Sequence, residues 1–229
     1  MRRTGERVPI SPELIRDWAH SCATGLEAQR GEINDLNVFP IPDADTGSNM
    51  AFTMAGAAAA LDELDGDRSA DLALVTRTLA DGAVANARGN SGIILSQILM
   101  GVADAADLAD AENDPSFNRL VANGLRLSAL SARRAVSIPR EGTVLTLLRV
   151  AADVAAREVH GSPADLVRAV ADECAVALEE TTEQMIELSN AGVVDAGARG
   201  FLVMLDALVL VVTGVANRRR AYRGSMTDT

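Results

Sequence analysis

Aromatic side chains are almost missing from this chain: one Trp, one Tyr and four Phe in 229 residues. β-Sheets draw on aromatic and β-branched residues, whereas the 48 % apolar content here has alanine and leucine foremost. That mixture suits packed helices. Cysteine is as scarce. Cys22 and Cys174 stand alone, without CxxC or zinc-ligand spacing, so neither a disulfide framework nor a structural zinc site is read, only two buried thiols. Positive charge is in deficit, 21 Lys and Arg against 32 Asp and Glu, for a net charge of −11. This argues against nucleic acid or an anionic membrane as a partner, so an anionic ligand has to be admitted locally.

No apolar segment of the signal-peptide kind follows Met1-Arg-Arg-Thr-Gly-Glu6, and the expectation is a cytoplasmic protein. One run approaches membrane-spanning length, Gly200–Ala216, with Arg218-Arg219-Arg220 behind it. It stands at the bottom of the spanning range and Asp206 interrupts it, so it reads as a central bundle helix and not as an integral membrane segment. The two histidines, His20 and His160, lie far apart without catalytic neighbours and take no role. With no internal repeat, low-complexity tract or linker, residues 1–229 are read as one domain, a helical barrel over about 11–217 with short tails.

What the chain does contain is helix punctuation. Ser11-Pro12-Glu13 and Ser162-Pro163-Ala164-Asp165 are capped helix starts with proline in the first turn. Leu14, Trp18, Cys22 and Leu26 then recur at i+4 on the inner face of a first helix running to about Ile33. Further helices are predicted from Ser48 to about Leu64, through Leu72–Val84 after a Gly66–Ser69 turn, from Ser91 past Val102, and from about Pro115 to Val136. Three more follow: Thr143 to about Val159, Ser162 to about Ser189, and Gly200–Ala216. The fold class expected is all-α, an eight-helix antiparallel up-and-down bundle.

Four of the helix-opening turns share a chemistry. The first is Asn37-Val-Phe-Pro-Ile-Pro-Asp43-Ala-Asp45-Thr46-Gly47-Ser48-Asn49-Met50. Two prolines hold the approach extended. Asp43 and Asp45 can hold Mg²⁺, which takes one or two carboxylates plus phosphate oxygens and water. Thr46, Gly47, Ser48 and Asn49 then offer backbone N–H groups and the positive end of a helix dipole to a polyphosphate. The second turn holds Arg88-Gly89-Asn90-Ser91-Gly92, the third Glu141-Gly142-Thr143, and the fourth Gly192-Val-Val-Asp195-Ala196-Gly197. Each turn alone also reads as an ordinary helix cap. In an up-and-down bundle, however, the turns before helices two, four, six and eight gather at one end, and four weak signals become one site.

Taken together, Asn37–Met50, Ala87-Arg-Gly-Asn-Ser-Gly-Ile-Ile-Leu-Ser-Gln97, Glu141-Gly-Thr-Val-Leu-Thr146 and Gly192-Val-Val-Asp-Ala-Gly-Ala198 resemble the nucleotide-binding domain of bacterial fatty acid kinase. That domain falls within the larger family of the ATP/ADP-binding L subunit of dihydroxyacetone kinase. The resemblance covers essentially the whole chain. It implies an eight-helix barrel with the nucleotide at one end and Mg²⁺ bridging phosphates to aspartates. By position, Asp43 and Asp45 are implied as metal ligands at the catalytic centre. Asn37 lies near a third aspartate of the dihydroxyacetone kinase branch and would take part through its carbonyl oxygen or a water. Thr46, Gly47, Ser48, Asn49, Asn90, Ser91, Gly92, Thr143, Asp195, Ala196 and Gly197 are implied to face ATP or ADP. An arginine of that branch has no counterpart in Glu180-Thr-Thr-Glu-Gln184, and Arg88 is the candidate replacement.

The implied function is an ATP- and Mg²⁺-dependent phosphotransferase, the phosphoryl-donor half of a split kinase acting on a protein-bound fatty acid. Dihydroxyacetone is the alternative acceptor, and a nucleotide-binding module inactive without partner domains is the alternative class. The implied partner is an acyl-carrying, fatty-acid-binding protein or a substrate-binding kinase subunit, with a homodimer also compatible.

Overall fold

A computed structural model describes residues 10–64, 71–112 and 116–222. Ten helices and no strand occur among the described residues. Eight are long: α1 (Pro12–Ala28), α3 (Thr46–Asp62), α4 (Leu72–Ala85), α5 (Gly89–Ala111), α6 (Phe117–Ala135), α7 (Val144–Arg157), α8 (Pro163–Gln184) and α10 (Ala196–Thr213). Two are short: α2 (Arg30–Asp35) and α9 (Ile186–Ala191). Sequential long helices pack on one another from α3 through α8, and α10 lies against α1, α3, α7 and α8. The all-α up-and-down bundle expected from the sequence is the architecture found. The Gly66–Ser69 turn, Pro115 and the outermost residues of both ends lie outside the described residues.

Alanine and glycine let these helices approach closely. A Cβ on Gly101 of α5 would collide with the Ser128 backbone of α6, and one on Gly82 of α4 would meet Ala57 and Ala60 of α3. Leu26, Met54, Leu61, Leu79, Leu95, Leu99, Leu147, Leu166 and Phe201 fill the space between, each fully buried. Both α5 and α10 have the length and hydropathy of a membrane span, yet each is half or more buried inside the bundle, as a core helix is. Trp18 on α1 donates its indole N–H to the Met204 carbonyl at 3.0 Å, tying the outer helix to the central one.

Boundaries differ from the pattern in the sequence. α3 and α5 begin at Thr46 and Gly89 and not at Ser48 and Ser91. The central helix is Ala196–Thr213 and not Gly200–Ala216, because Gly214 (φ +70°) ends it, and two helices break early. The first helix breaks at Gln29 (φ −107°, ψ 9°), and its continuation to Ile33 is a separate helix, α2. The seventh stops at Gln184, where Met185 turns extended (φ −136°, ψ 125°) to bury its side chain before α9. Neither break carries a Gly or Pro.

Helix capping is complete at one end of the bundle and partial at the other. At one end α1, α4, α6 and α8 are closed by Ser11, Asp71, Ser116 and Ser162, each accepting from a backbone N–H of the first turn. At the other end α3 and α5 begin at Asp45 and Arg88, and neither side chain caps its helix.

Candidate functional site

The end with the two uncapped helices is where the four turns meet. In the first turn the Phe39–Pro40 peptide is cis, and Ala44, between the two aspartates, has φ +53°. Non-glycine residues enter that region rarely and at a cost of about 1–2 kcal/mol, so the loop holds Asp43 and Asp45 against local strain. Asn37 is buried behind them. Its amide donates to Asp43 Oδ1 at 2.6 Å, and its carbonyl oxygen accepts from Thr46 Oγ1 at 3.0 Å. The side chain expected to take part through its oxygen or a water thus also orients Asp43, and its oxygen, which has two lone pairs, accepts one bond from Thr46. Asn34 on α2, unremarked in the sequence, accepts from Ser48 N and donates to Ser48 Oγ, both at 3.0 Å. Ser48 N is thus engaged, and Thr46 and Gly47, ahead of it in the first turn of α3, are both buried.

The second turn lies directly against the first. Gly89 (φ +58°) is so close to Asn49 that a Cβ would strike its amide nitrogen. Arg88 N donates to Thr53 Oγ1 at 3.3 Å, and the exposed Arg88 guanidinium stacks on the Phe52 ring, 3.3 Å from its centroid. Asn90, Ser91 and Gly92 fall inside the first turn of α5, so Ser91 is not its cap. Thr46, Gly47, Ser48, Asn49, Asn90, Ser91 and Gly92 are thereby brought onto two adjacent, uncapped helix tips, beside Asp43, Asp45 and Arg88.

The third and fourth turns are closed. Thr143 caps α7 and donates to the Arg140 carbonyl at 2.8 Å. Asp195 is buried, and its Oδ2 accepts from Ala198 N at 2.7 Å and from Val144 N at 3.1 Å, so one carboxylate caps α10 and ties it to the start of α7. Burial pushes its pKa up to about 6, against the downward pull of the Ala198, Val144 and Gly197 N–H groups. Ala196 and Gly197 sit in the turn that Asp195 closes. Arg140 joins this half to the first turn, lying 5.2 Å from the Phe39 ring centroid and 3.1 Å from Glu187 on α9.

The donor set is therefore two carboxylates flanked by helix tips that lack side-chain caps. Among the described residues no group of three or more His, Cys, Asp or Glu gathers as a metal cage. Two carboxylates suit Mg²⁺, which leaves its other positions to phosphate and water, and do not suit a cation that needs a full protein cage.

Residues 40–210 match the DAK2 domain. The chain belongs to the DAK2 domain family. Protein YloV of Bacillus subtilis is 33 % identical over 208 residues, covering 90 % of this chain and 36 % of YloV. A Staphylococcus saprophyticus protein is 32 % identical over 207 residues with the same coverage. The structure of dihydroxyacetone kinase from C. freundii in complex with AMP-PNP and Mg²⁺ superposes with a TM-score of 0.62 at 17 % identity, over 91 % of this chain and 36 % of that one. The DAK2 chain thus shares the fold of part of that kinase and spans about a third of the length of these relatives.

One buried charge escaped the sequence reading. Arg199, in the first turn of α10, donates through Nε to Glu32 at 2.8 Å and through Nη2 to Gln29. The available signal was a charged residue opening an otherwise apolar helix. Its partners could not be paired with it from sequence, because the break at Gln29 is unmarked.

Proposed function

We propose that this chain is the nucleotide-binding, phosphoryl-donor part of a split kinase that uses ATP and Mg²⁺. The observation that carries the reading is the pair of adjacent helices, α3 and α5, whose N-cap residues Asp45 and Arg88 leave their own helices without a side-chain cap, beside Asp43. Uncapped tips are sites for phosphate, whereas α7 and α10 at the same end have spent their caps on Thr143 and Asp195. Asp43 and Asp45 would hold Mg²⁺, which when bound offsets the charge of the phosphate oxygens. Asn37, itself held by the Thr46 hydroxyl, fixes the Asp43 carboxylate. The amides of Gly89, Asn90 and Ser91 at the accessible start of α5, beside the start of α3, receive the polyphosphate, and Arg88 adds positive charge at the rim. Catalysis of this kind is positioning and charge stabilisation, so this chain needs no nucleophile.

The acceptor comes from a partner or from further domains, in keeping with a chain that spans about a third of its relatives. A protein-bound fatty acid, converted to an acyl phosphate, is the acceptor we favour, on the spelling of the Asn37–Met50 and Ala87–Gln97 stretches. Dihydroxyacetone is second. Two free, buried cysteines accord with a cytoplasmic setting. The test is to supply Mg-ATP with an oleate-loaded fatty-acid-binding carrier, or with dihydroxyacetone and a substrate-binding kinase subunit. Hydroxylamine-trapped acyl phosphate supports the first acceptor. Triose phosphate supports the second, and nucleotide binding without either product leaves a module that works only inside an assembly.

A further inference from the structure

Beyond Thr213 the chain turns at Gly214 (φ +70°) and runs back along α10 toward the nucleotide end. The register is read from its partners: Asn217 donates to Asp206 at 2.7 Å, Arg219 bridges Asp206 at 2.9 Å and Asp172 at 3.1 Å, and Arg220 pairs with Glu179 at 2.8 Å. This return segment ends, among the described residues, on Tyr222. The Tyr222 ring is buried, 5.2 Å from the guanidinium of Arg199.

Arg199 is only 3 % exposed, and its Nη1 has no hydrogen-bond partner. The group is held by Glu32 and Gln29 on one side and covered by Tyr222 on the other. Glu32 belongs to α2 and Gln29 is the residue before it, so Arg199 sets where α2 lies. α2 in turn carries Asn34, which takes both the amide and the hydroxyl of Ser48 in the first turn of α3. α2 also packs so tightly there that a Cβ on Gly47 would collide with the Arg30 carbonyl. An unbroken run of contacts thus leads from the return segment to the start of α3. Its outer end is reachable, because Arg220, Ala221 and Tyr222 wall an open cleft of about 460 Å³ with Leu36 and Gly192–Val194.

We infer that residues 214–222 are a positioning element for the start of α3 beside the phosphate site, acting through Tyr222 on Arg199 and through Glu32, Gln29 and Asn34 on Ser48. The role rests on the nucleotide reading above. Displacing Tyr222 admits water to the guanidinium, satisfies its unpartnered nitrogen and loosens its hold on α2.

The test compares wild type with Tyr222→Leu, which keeps an apolar group but removes the aromatic face, and with Arg199→Lys, which keeps charge but loses the fork. Leu166→Ala, in the core at the opposite end of α8, controls for lost stability. Each protein is titrated with Mg-ADP, and hydrogen exchange is followed at the Ser48 and Asn49 amides. The expected result is about 5- to 20-fold weaker Mg-ADP binding and faster exchange at those amides in the two relay variants. Leu166→Ala is expected to lower the melting temperature and change neither. Wild-type affinity and protection in both relay variants would overturn the inference, as would equal changes in the control. If wild type bound no Mg-ADP, the nucleotide reading would fall, and exchange at Ser48 and Asn49 would decide the relay by itself.

Discussion

Replacing Asp195 by Ala probes the junction of α7 and α10, and the effect depends on pH in a direction the structure dictates. The substitution strips acceptors from Val144 N, Ala198 N and Gly197 N in a buried place. A lost cap costs about 1 kcal/mol, and a buried N–H left unpaired about 1–3 kcal/mol. The expected destabilisation at pH 5 is therefore about 2–4 kcal/mol. Wild-type Asp195, however, has a folded pKa raised from 3.8 to about 6, chiefly by burial. The folded state holds its proton more tightly than the unfolded state does. The stability linked to that proton is complete below pH 3.8 and is lost as pH rises through 6. For that shift the loss is about 3 kcal/mol in all, of which about 1.4 kcal/mol falls between pH 5 and pH 8. Asp195→Ala lacks this titration. Urea unfolding of both proteins at pH 5, 6.5 and 8 should show the gap between them narrowing by about 1.4 kcal/mol across that range. A gap that stays constant or widens with pH would refute the assignment of a buried, proton-retaining carboxyl.

Three further outcomes follow from the first two turns. Ala44→Val should destabilise by about 1–2 kcal/mol while Ala44→Gly costs nothing, because a β-branched residue fits φ +53° poorly; urea midpoints measure both. Asn37→Ala, which releases both Asp43 and Thr46, should weaken Mg-nucleotide binding by about 10- to 100-fold in calorimetric titration, as losing a ligand's orienting partner does. Gly89→Ala should cost about 1–2 kcal/mol in unfolding experiments and disturb Asn49, since it meets both a positive φ and a steric block.

The long helices were legible because their signals are local. Ser11-Pro12 and Ser162-Pro163 mark starts that the structure retains as caps, and the i+4 series from Leu14 to Leu26 includes the buried Cys22 and Leu26 of α1. The short helices were not. The break at Gln29 accompanies a bond from Arg199, 170 residues away, and the break at Met185 accompanies burial of that side chain; neither is written in neighbouring residues. The gathering of four turns at one end followed from helix alternation alone. Which turns are capped did not. Asp45 and Asp195 both precede small residues at a helix start, yet Asp195 turns its carboxylate onto its own helix and Asp45 does not. That difference depends on side-chain direction and burial, and it divides the turns into two whose N-cap residues leave the helix uncapped and two whose N-cap residues close it. Asn37 belongs to the same class, because residue type offers a donor and an acceptor equally and only its neighbours Asp43 and Thr46 assign them.

The most direct test is a calorimetric titration of ATP and ADP, with and without Mg²⁺, into wild type and Asp45→Asn. The prediction is binding that requires Mg²⁺ in wild type and falls by at least about tenfold in the variant, because one of only two carboxylates at the helix tips is gone. Binding of either nucleotide that ignores Mg²⁺, unchanged affinity in Asp45→Asn, or no binding by a folded wild-type protein would contradict a Mg-nucleotide site at the tips of α3 and α5.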